Sequence, residues 1–117
     1  MLVIEDEESV RLAIQAGLEL IGDYEVLSAP DASTGIEMLE HVRPDILLLD
    51  LVMPGMDGME FLRLMRNRPS GHLPRRVILM TAHNNPIPSG NLQDIGLDAI
   101  LSKPFRLNDL AAVISGK

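Results

Sequence analysis

Cysteine is absent from the 117 residues, which removes disulfides, thiolate zinc sites, cysteine-ligated iron–sulfur clusters and thiol nucleophiles. Tryptophan is absent too and aromatics amount to 3%, so stacking platforms for bases or sugars are lacking. No apolar run approaches the roughly 18 residues that a spanning helix needs. Met1-Leu2-Val3-Ile4 runs straight into Glu5-Asp6-Glu7-Glu8, unlike a signal peptide, and a cytoplasmic protein with no membrane contact is expected. Positive charge is scarce: ten Lys and Arg against 17 Asp and Glu give a net charge of −7. A surface of that sign repels phosphate backbones, so no direct nucleic-acid partner is expected. Arg63, Arg66, Arg68, Arg75 and Arg76 fall in one short region and read as a solvated helix end and loop.

What is present suits one domain with a single real core: 46% apolar and 23% charged residues in a chain of this length. The hydrophobic period switches repeatedly between strand and helix. Leu2-Val3-Ile4 is a short apolar run that stops at acids. Val10, Ile14, Leu18 and Ile21 predict an amphipathic helix from about Ser9 to Ile21. Glu25-Val26-Leu27-Ser28 reads as a strand. Ala32, Ile36, Leu39 and Val42 mark a second helix, which Pro44 stops, with Thr34 and Glu37 as a capping box. Ile46-Leu47-Leu48-Leu49 and Val77-Ile78-Leu79-Met80 are continuous apolar runs, the mark of strands covered on both faces. Pro54-Gly55 and Asp57-Gly58 are turn signals, followed by a third helix carrying Phe61, Leu62 and Met65 that ends near Pro69. Ala99-Ile100-Leu101 is the last strand, and Leu107, Leu110, Val113 and Ile114 form the last helical stripe. Between Asn84 and Gly96 a fourth helix belongs, but Pro86, Pro88 and Gly90 predict a loop or a short helix from Ser89.

Strands alternating with helices imply right-handed βαβ units and a parallel sheet with helices on both faces. Ligands bind such sheets beyond the carboxyl ends of the strands, and four of those ends carry chemistry: Glu5-Asp6, Asp50, Thr81-Ala82 and Lys103-Pro104. Taken singly each has a plain structural reading. Acids after a strand favour a helix macrodipole, Asp50 could form a turn, Thr81 could be an ordinary strand-end hydroxyl and Lys103 a surface lysine. Two points weigh the other way: all four share one sheet edge, and Lys103 is one of two lysines in the chain, beside Lys117. Asp6 and Asp50 can place carboxylate oxygens on a hard divalent cation such as Mg²⁺. With Glu5 they make three mutually repelling carboxylates, which need a cation or Lys103 to compensate. One carboxylate can serve as a nucleophile toward phosphorus, with Lys103 supplying positive charge and the Thr81 hydroxyl bonding a phosphoryl oxygen. Small Ala82 keeps space open beside it.

These segments carry a resemblance. Leu2–Glu7, Leu47–Gly58, Met80-Thr81-Ala82 and Ser102-Lys103-Pro104-Phe105 stand in the order and spacing of the receiver domain of two-component response regulators, which the sequence resembles over almost its whole length. The resemblance implies a flavodoxin-like (βα)5 three-layer sandwich with strand order 2-1-3-4-5, and a receiver domain over 1–117, trimmed from a longer protein. It implies that Asp50 accepts a phosphoryl group from a phosphohistidine on a sensor histidine kinase or histidine phosphotransfer protein. It implies Mg²⁺ as cofactor, bound by Asp6 and Asp50, by the backbone carbonyl of Val52, and by Glu5 mostly through water. Thr81, Ala82 and Lys103 would handle the phosphoryl oxygens, and the bond before Pro104 is commonly cis. The role is signalling by a switch that assists its own phosphorylation and dephosphorylation, not metabolic catalysis.

Glu5 stands where the family more often has a second Asp; it keeps the charge and adds one methylene, so metal binding is expected to survive. The sequence departs from the family more seriously in two places. Ile100 stands where receivers carry Tyr or Phe, so the aromatic rotamer switch is degenerate here. The Pro86–Gly90 segment reshapes the usual output face, so any homodimer is expected to use a non-standard face. Both departures favour an alternative, a receiver-like binding module that works without phosphorylation; the Asp6, Asp50, Thr81 and Lys103 set opposes it. A hydrolase of the haloacid-dehalogenase type would need a second Asp two residues after the nucleophile, where Val52 stands.

Overall fold

Two runs of uninterrupted apolar sequence dictate the middle of the sheet. In a strand, successive side chains point to opposite faces, so a strand apolar at every position must be covered on both sides. Ile46–Asp50 (β3) is buried along its whole length, and so is most of Arg76–Ala82 (β6). The computed structural model, which describes residues 1–22, 24–53, 55–67, 74–82 and 96–115, places these two strands side by side and parallel, Leu47 beside Val77 and Asp50 beside Met80.

The remaining strands extend the sheet outward. Leu2–Ile4 (β1) pairs parallel to the other side of β3, and Leu27–Ala29 (β2) pairs parallel to β1 at one edge. Ala99–Lys103 (β7) pairs parallel to β6 at the other edge. The order β2-β1-β3-β6-β7 is the expected 2-1-3-4-5 once a small antiparallel hairpin, Val52–Met53 (β4) with Met56–Asp57 (β5), is set aside. Gly55, with φ of 79°, turns that hairpin, a conformation that favours glycine.

Helices Glu8–Ile21 (α1), Ala32–His41 (α2), Gly58–Arg66 (α3) and Leu107–Ser115 (α4) complete three layers. Leu2, Ile4, Leu47, Leu49, Val77 and Leu79 pack on one face against Phe61, Leu62 and Met65 of α3 and Ala32 of α2. Val3, Ile46, Leu48, Ile78, Met80 and Leu101 pack on the other against Ile14 and Leu18 of α1 and Leu110 and Ile114 of α4. Each fully buried Leu or Ile contributes about 1.5–3 kcal/mol, so the two half-cores fix which residues of each strand reach the carboxyl edge. No helix among the described residues is long and apolar enough to cross a membrane.

Four local expectations need correction. The second strand starts at Leu27, not Glu25, because only Leu2 to Ile4 offer it a ladder. The cap of α2 is Asp31, whose carboxylate accepts from the Thr34 amide at 2.7 Å; Thr34 lies inside the helix and the Thr34–Glu37 capping box does not form. Asp57 is the cap of α3, accepting from the Glu60 amide at 2.8 Å, while Gly58 is the first helical residue. The arginine-rich region is partly structural: the Arg66 guanidinium lies against Gly96, and Arg76 donates to the Val113 carbonyl. The expected irregular fourth helix, Pro86–Gly90 and the dimer face built on them lie outside the described residues.

Candidate functional site

Four parallel strands deliver the site. β1 ends at Ile4, so Glu5 and Asp6 are the first residues past the sheet. Asp50 is the last residue of β3, and Thr81-Ala82 and Lys103 end β6 and β7. Register does the rest. Thr81 lies beside Ser102 and Ala82 beside Lys103, one residue further along than the Asp50–Met80 pair. The Leu51 amide donates to the Met80 carbonyl at 2.9 Å, which carries the β3–β6 ladder one step past Asp50.

Gly58 explains how the chain can turn so tightly behind Asp50. Its amide donates to the Leu51 carbonyl at 2.7 Å. A Cβ at position 58 would stand 2.9 Å from the Asp50 carbonyl oxygen and 3.1 Å from the Leu51 Cα. Those neighbours are backbone and cannot step aside, so α3 starts against the end of β3 only because residue 58 has no side chain.

The carboxyl edge gathers charge in a dry place. Glu5 is 0%, Asp50 5% and Thr81 1% exposed, the buried polar residues of the described structure. Lys103 Nζ donates to Glu5 Oε2 at 2.8 Å and lies 3.3 Å from Asp50 Oδ1. Asp6 is exposed at the rim, and one carboxylate oxygen from each of Glu5, Asp6 and Asp50 falls within 4.8 Å of the others. Arg11 of α1 donates to the Glu5 backbone carbonyl at 2.7 Å, fixing the turn after β1.

The electrostatics follow from burial. Desolvation pushes the Glu5 carboxyl from 4.5 up to about 7; the Lys103 hydrogen bond opposes this and the Asp50 charge adds to it. Burial alone would lower the Lys103 ammonium, but the hydrogen bond to Glu5 and the charges of Glu5 and Asp50 outweigh it and hold it above its ordinary value. Once Glu5 gives up its proton, three carboxylates against one ammonium leave two net negative charges, which one divalent cation cancels, and a cation bound there would itself favour that deprotonated form. The donor set is all oxygen, the set that suits a hard cation. Glu5 Oε1 is buried with no hydrogen-bond partner among the described residues. An orphaned buried carboxylate oxygen is costly, and a cation in the acidic cluster would satisfy it. The residues present therefore fit a divalent metal ion.

The remaining predicted residues are nearby in different ways. Val52 sits on β4, two residues past Asp50, with its side chain exposed. The Lys103–Pro104 peptide bond is cis. Ile100 lies beside Leu79 on β7, half-buried against the α2/α3 side of the core. Sequence reasoning did not find the Glu5–Lys103 bond, which joins residues 98 apart. It missed Asp98, whose Oδ2 accepts from the Val77 amide at 2.7 Å and pins β7 to β6. It also missed the cap at Asp57, although Asp57 with Glu60 three residues on carries that signal.

Comparison with known proteins agrees with this geometry. Residues 1–115 match the profile of the response regulator receiver domain. Response regulator Rre1 of Synechocystis sp. is 35% identical over 115 residues, 97% of this chain and 49% of that protein. Transcriptional regulatory protein AfsQ1 of Streptomyces coelicolor is 36% identical over 106 residues, 91% of this chain and 45% of that one. The chemotaxis response regulator CheY4 of Vibrio cholerae superposes with a TM-score of 0.83 at 26% identity, covering 97% of this chain and 93% of the other. This chain spans about half the length of the two full-length relatives. Both the profile match and the buried acid–lysine site at the carboxyl edge point the same way, and the chain belongs to the response regulator receiver family.

Proposed function

We propose that the chain is the phospho-accepting receiver of a two-component relay, with Asp50 as acceptor and Mg²⁺ as cofactor. The observation that carries this is the placement of Asp50: buried at the end of the central strand, 3.3 Å from Lys103 Nζ, with the Glu5 and Asp6 carboxylates beside it. An Asp50 carboxylate oxygen attacks the phosphorus of a phosphohistidine. The new O–P bond forms as the P–N bond breaks, and the imidazole leaves. Lys103 supplies positive charge to the phosphoryl oxygens, and the Thr81 hydroxyl and the space beside Ala82 receive them. Glu5, Asp6, Asp50 and the Val52 carbonyl would hold the Mg²⁺, whose contribution is to neutralise charge at the transferring group. The donor is a sensor histidine kinase or a histidine phosphotransfer protein in the cytoplasm, and the domain promotes its own phosphorylation and hydrolysis. Phosphorylation adds charge and acceptor oxygens that bias a two-state equilibrium, with Ile100 in place of the usual aromatic.

Intact-protein mass spectrometry after incubation with acetyl phosphate tests this. One phosphoryl group gained with Mg²⁺, and none without it or in Asp50→Asn, is expected. No gain in folded wild-type protein would favour a module that binds its partner unphosphorylated.

A further inference from the structure

The amino ends of the strands build a second concave place, at the edge of the sheet opposite Asp50. Leu27 begins β2, Ile46 begins β3 and Arg75 directly precedes β6. Together with Tyr24, Val42 and Pro44 they line a cavity of about 520 Å³, a size that suits a small-molecule ligand. The five residues of β3 set it apart from the acceptor carboxylate by roughly 13 Å of strand rise. Pro44 and Ile46 are buried and Tyr24 and Val42 half-buried, which gives the cavity an apolar floor. Leu27 is 38% exposed and leaves apolar surface uncovered beside it.

The polar part of the lining carries both signs. Arg43 and Arg75 come from two different loops, and Glu25 and Asp45 border the same cavity. No ion pair joins either arginine to either acid among the described residues. Arg43 stands just past the end of α2, where a basic residue offsets the carbonyl end of the helix dipole. Arg75 follows no helix end among the described residues, so that use does not account for it. The Glu25 and Asp45 carbonyls are taken, by the Met1 amine and the Arg76 amide, which leaves their carboxylates to offer. A guanidinium pair matches a carboxylate, while two acids beside a helix C-terminus favour an ammonium. We infer that the cavity is a binding site for a zwitterionic α-amino acid with an apolar side chain. Arg43 and Arg75 take its carboxylate, Glu25 and Asp45 its ammonium, and Leu27, Val42 and the Tyr24 ring receive its side chain. The site shares no residue with the phosphoryl edge, so it stands whether or not Asp50 accepts a phosphoryl group.

Tyr24 is the one tyrosine of a chain without tryptophan, so tyrosine fluorescence reports on this cavity. Leucine is the probe, beside isocaproate, which lacks its amine, and isopentylamine, which lacks its carboxylate. Leucine is expected to change the Tyr24 emission saturably. Each truncated probe is expected to bind about tenfold more weakly, the loss of one charged hydrogen-bonded group. Arg43→Gln combined with Arg75→Gln should weaken leucine about tenfold or more and leave isopentylamine unchanged. Glu25→Gln combined with Asp45→Asn should weaken leucine and isopentylamine and leave isocaproate unchanged. All four side chains are exposed, so both double variants are expected to fold, and amide nitrogen-15 spectra check that. The same spectra locate the ligand, with leucine-induced shifts expected at residues 24–27, 42–46 and 75. Four results would overturn the inference: no response to leucine in either measurement, equal affinity for the three probes, leucine binding unaltered in either double variant, or shifts centred instead on Glu5, Asp50 and Lys103.

Discussion

Glu5 is the residue on which the local electrostatics turn. Its carboxyl holds a proton up to about pH 7 in the folded chain against an ordinary 4.5, because desolvation outweighs the help from Lys103. Between those two values the folded state binds more protons than the unfolded state, so stability falls as pH rises. Glu5 contributes its full stabilisation below about pH 4.5 and has lost it above about pH 7. In chelator-treated buffer, wild-type protein is expected to lose on the order of 2–3 kcal/mol relative to Glu5→Gln across that window. Urea unfolding of both proteins at a series of pH values measures it, and a pH-independent difference would contradict the account. Asp31, held below its ordinary value mainly by the Thr34 amide hydrogen bond, titrates in both proteins and cancels in the comparison. The identities of these site residues were legible in sequence, since acids, a threonine and a rare lysine at strand ends have few other uses in combination. The Glu5–Lys103 pairing was not. It depends on which of two carboxylates a side chain reaches across three strands, and no local spacing encodes that.

At the scale of elements, the turn from β3 into α3 sets the precision of the site. Asp57 caps α3 and Gly58 lets it start against the Asp50 backbone. The two residues are expected to fail differently. Asp57→Ala removes one capping bond and costs about 1 kcal/mol, leaving Asp50 where it is. Gly58→Ala pushes a methyl group against the Asp50 carbonyl and the Leu51 Cα, costs about 1–3 kcal/mol, and slows acetyl phosphate labelling. Equal labelling rates for the two folded variants would show that the close approach of α3 is unimportant. Strands buried on both faces were the readable elements, because Ile46–Leu49 of β3 and Val77–Met80 of β6 are uninterrupted apolar runs. The short edge strand β2 was misplaced, since its exposed Leu27 and Ser28 carry no pattern and only pairing with β1 defines it. Thr34 with Glu37 looked like a capping box, yet Asp31 three residues earlier is the stronger acceptor and takes the Thr34 amide.

Across the whole molecule, one arrangement serves stability and chemistry together. Alternate residues of the central strands feed two half-cores, and the parallel register that this packing imposes brings Glu5, Asp50, Thr81 and Lys103 to one edge. Fold and site were therefore readable from the same features, the apolar runs and the polar residues that end them. The central claim is that this edge accepts a phosphoryl group at Asp50. Its most direct test is to label the chain with acetyl phosphate and Mg²⁺, reduce the acyl phosphate with borohydride, and locate the reduced residue by peptide mass spectrometry. The account predicts reduction at Asp50 and nowhere else, abolished by withholding Mg²⁺. Reduction at Glu5 or Asp6, or none in folded protein, would contradict it.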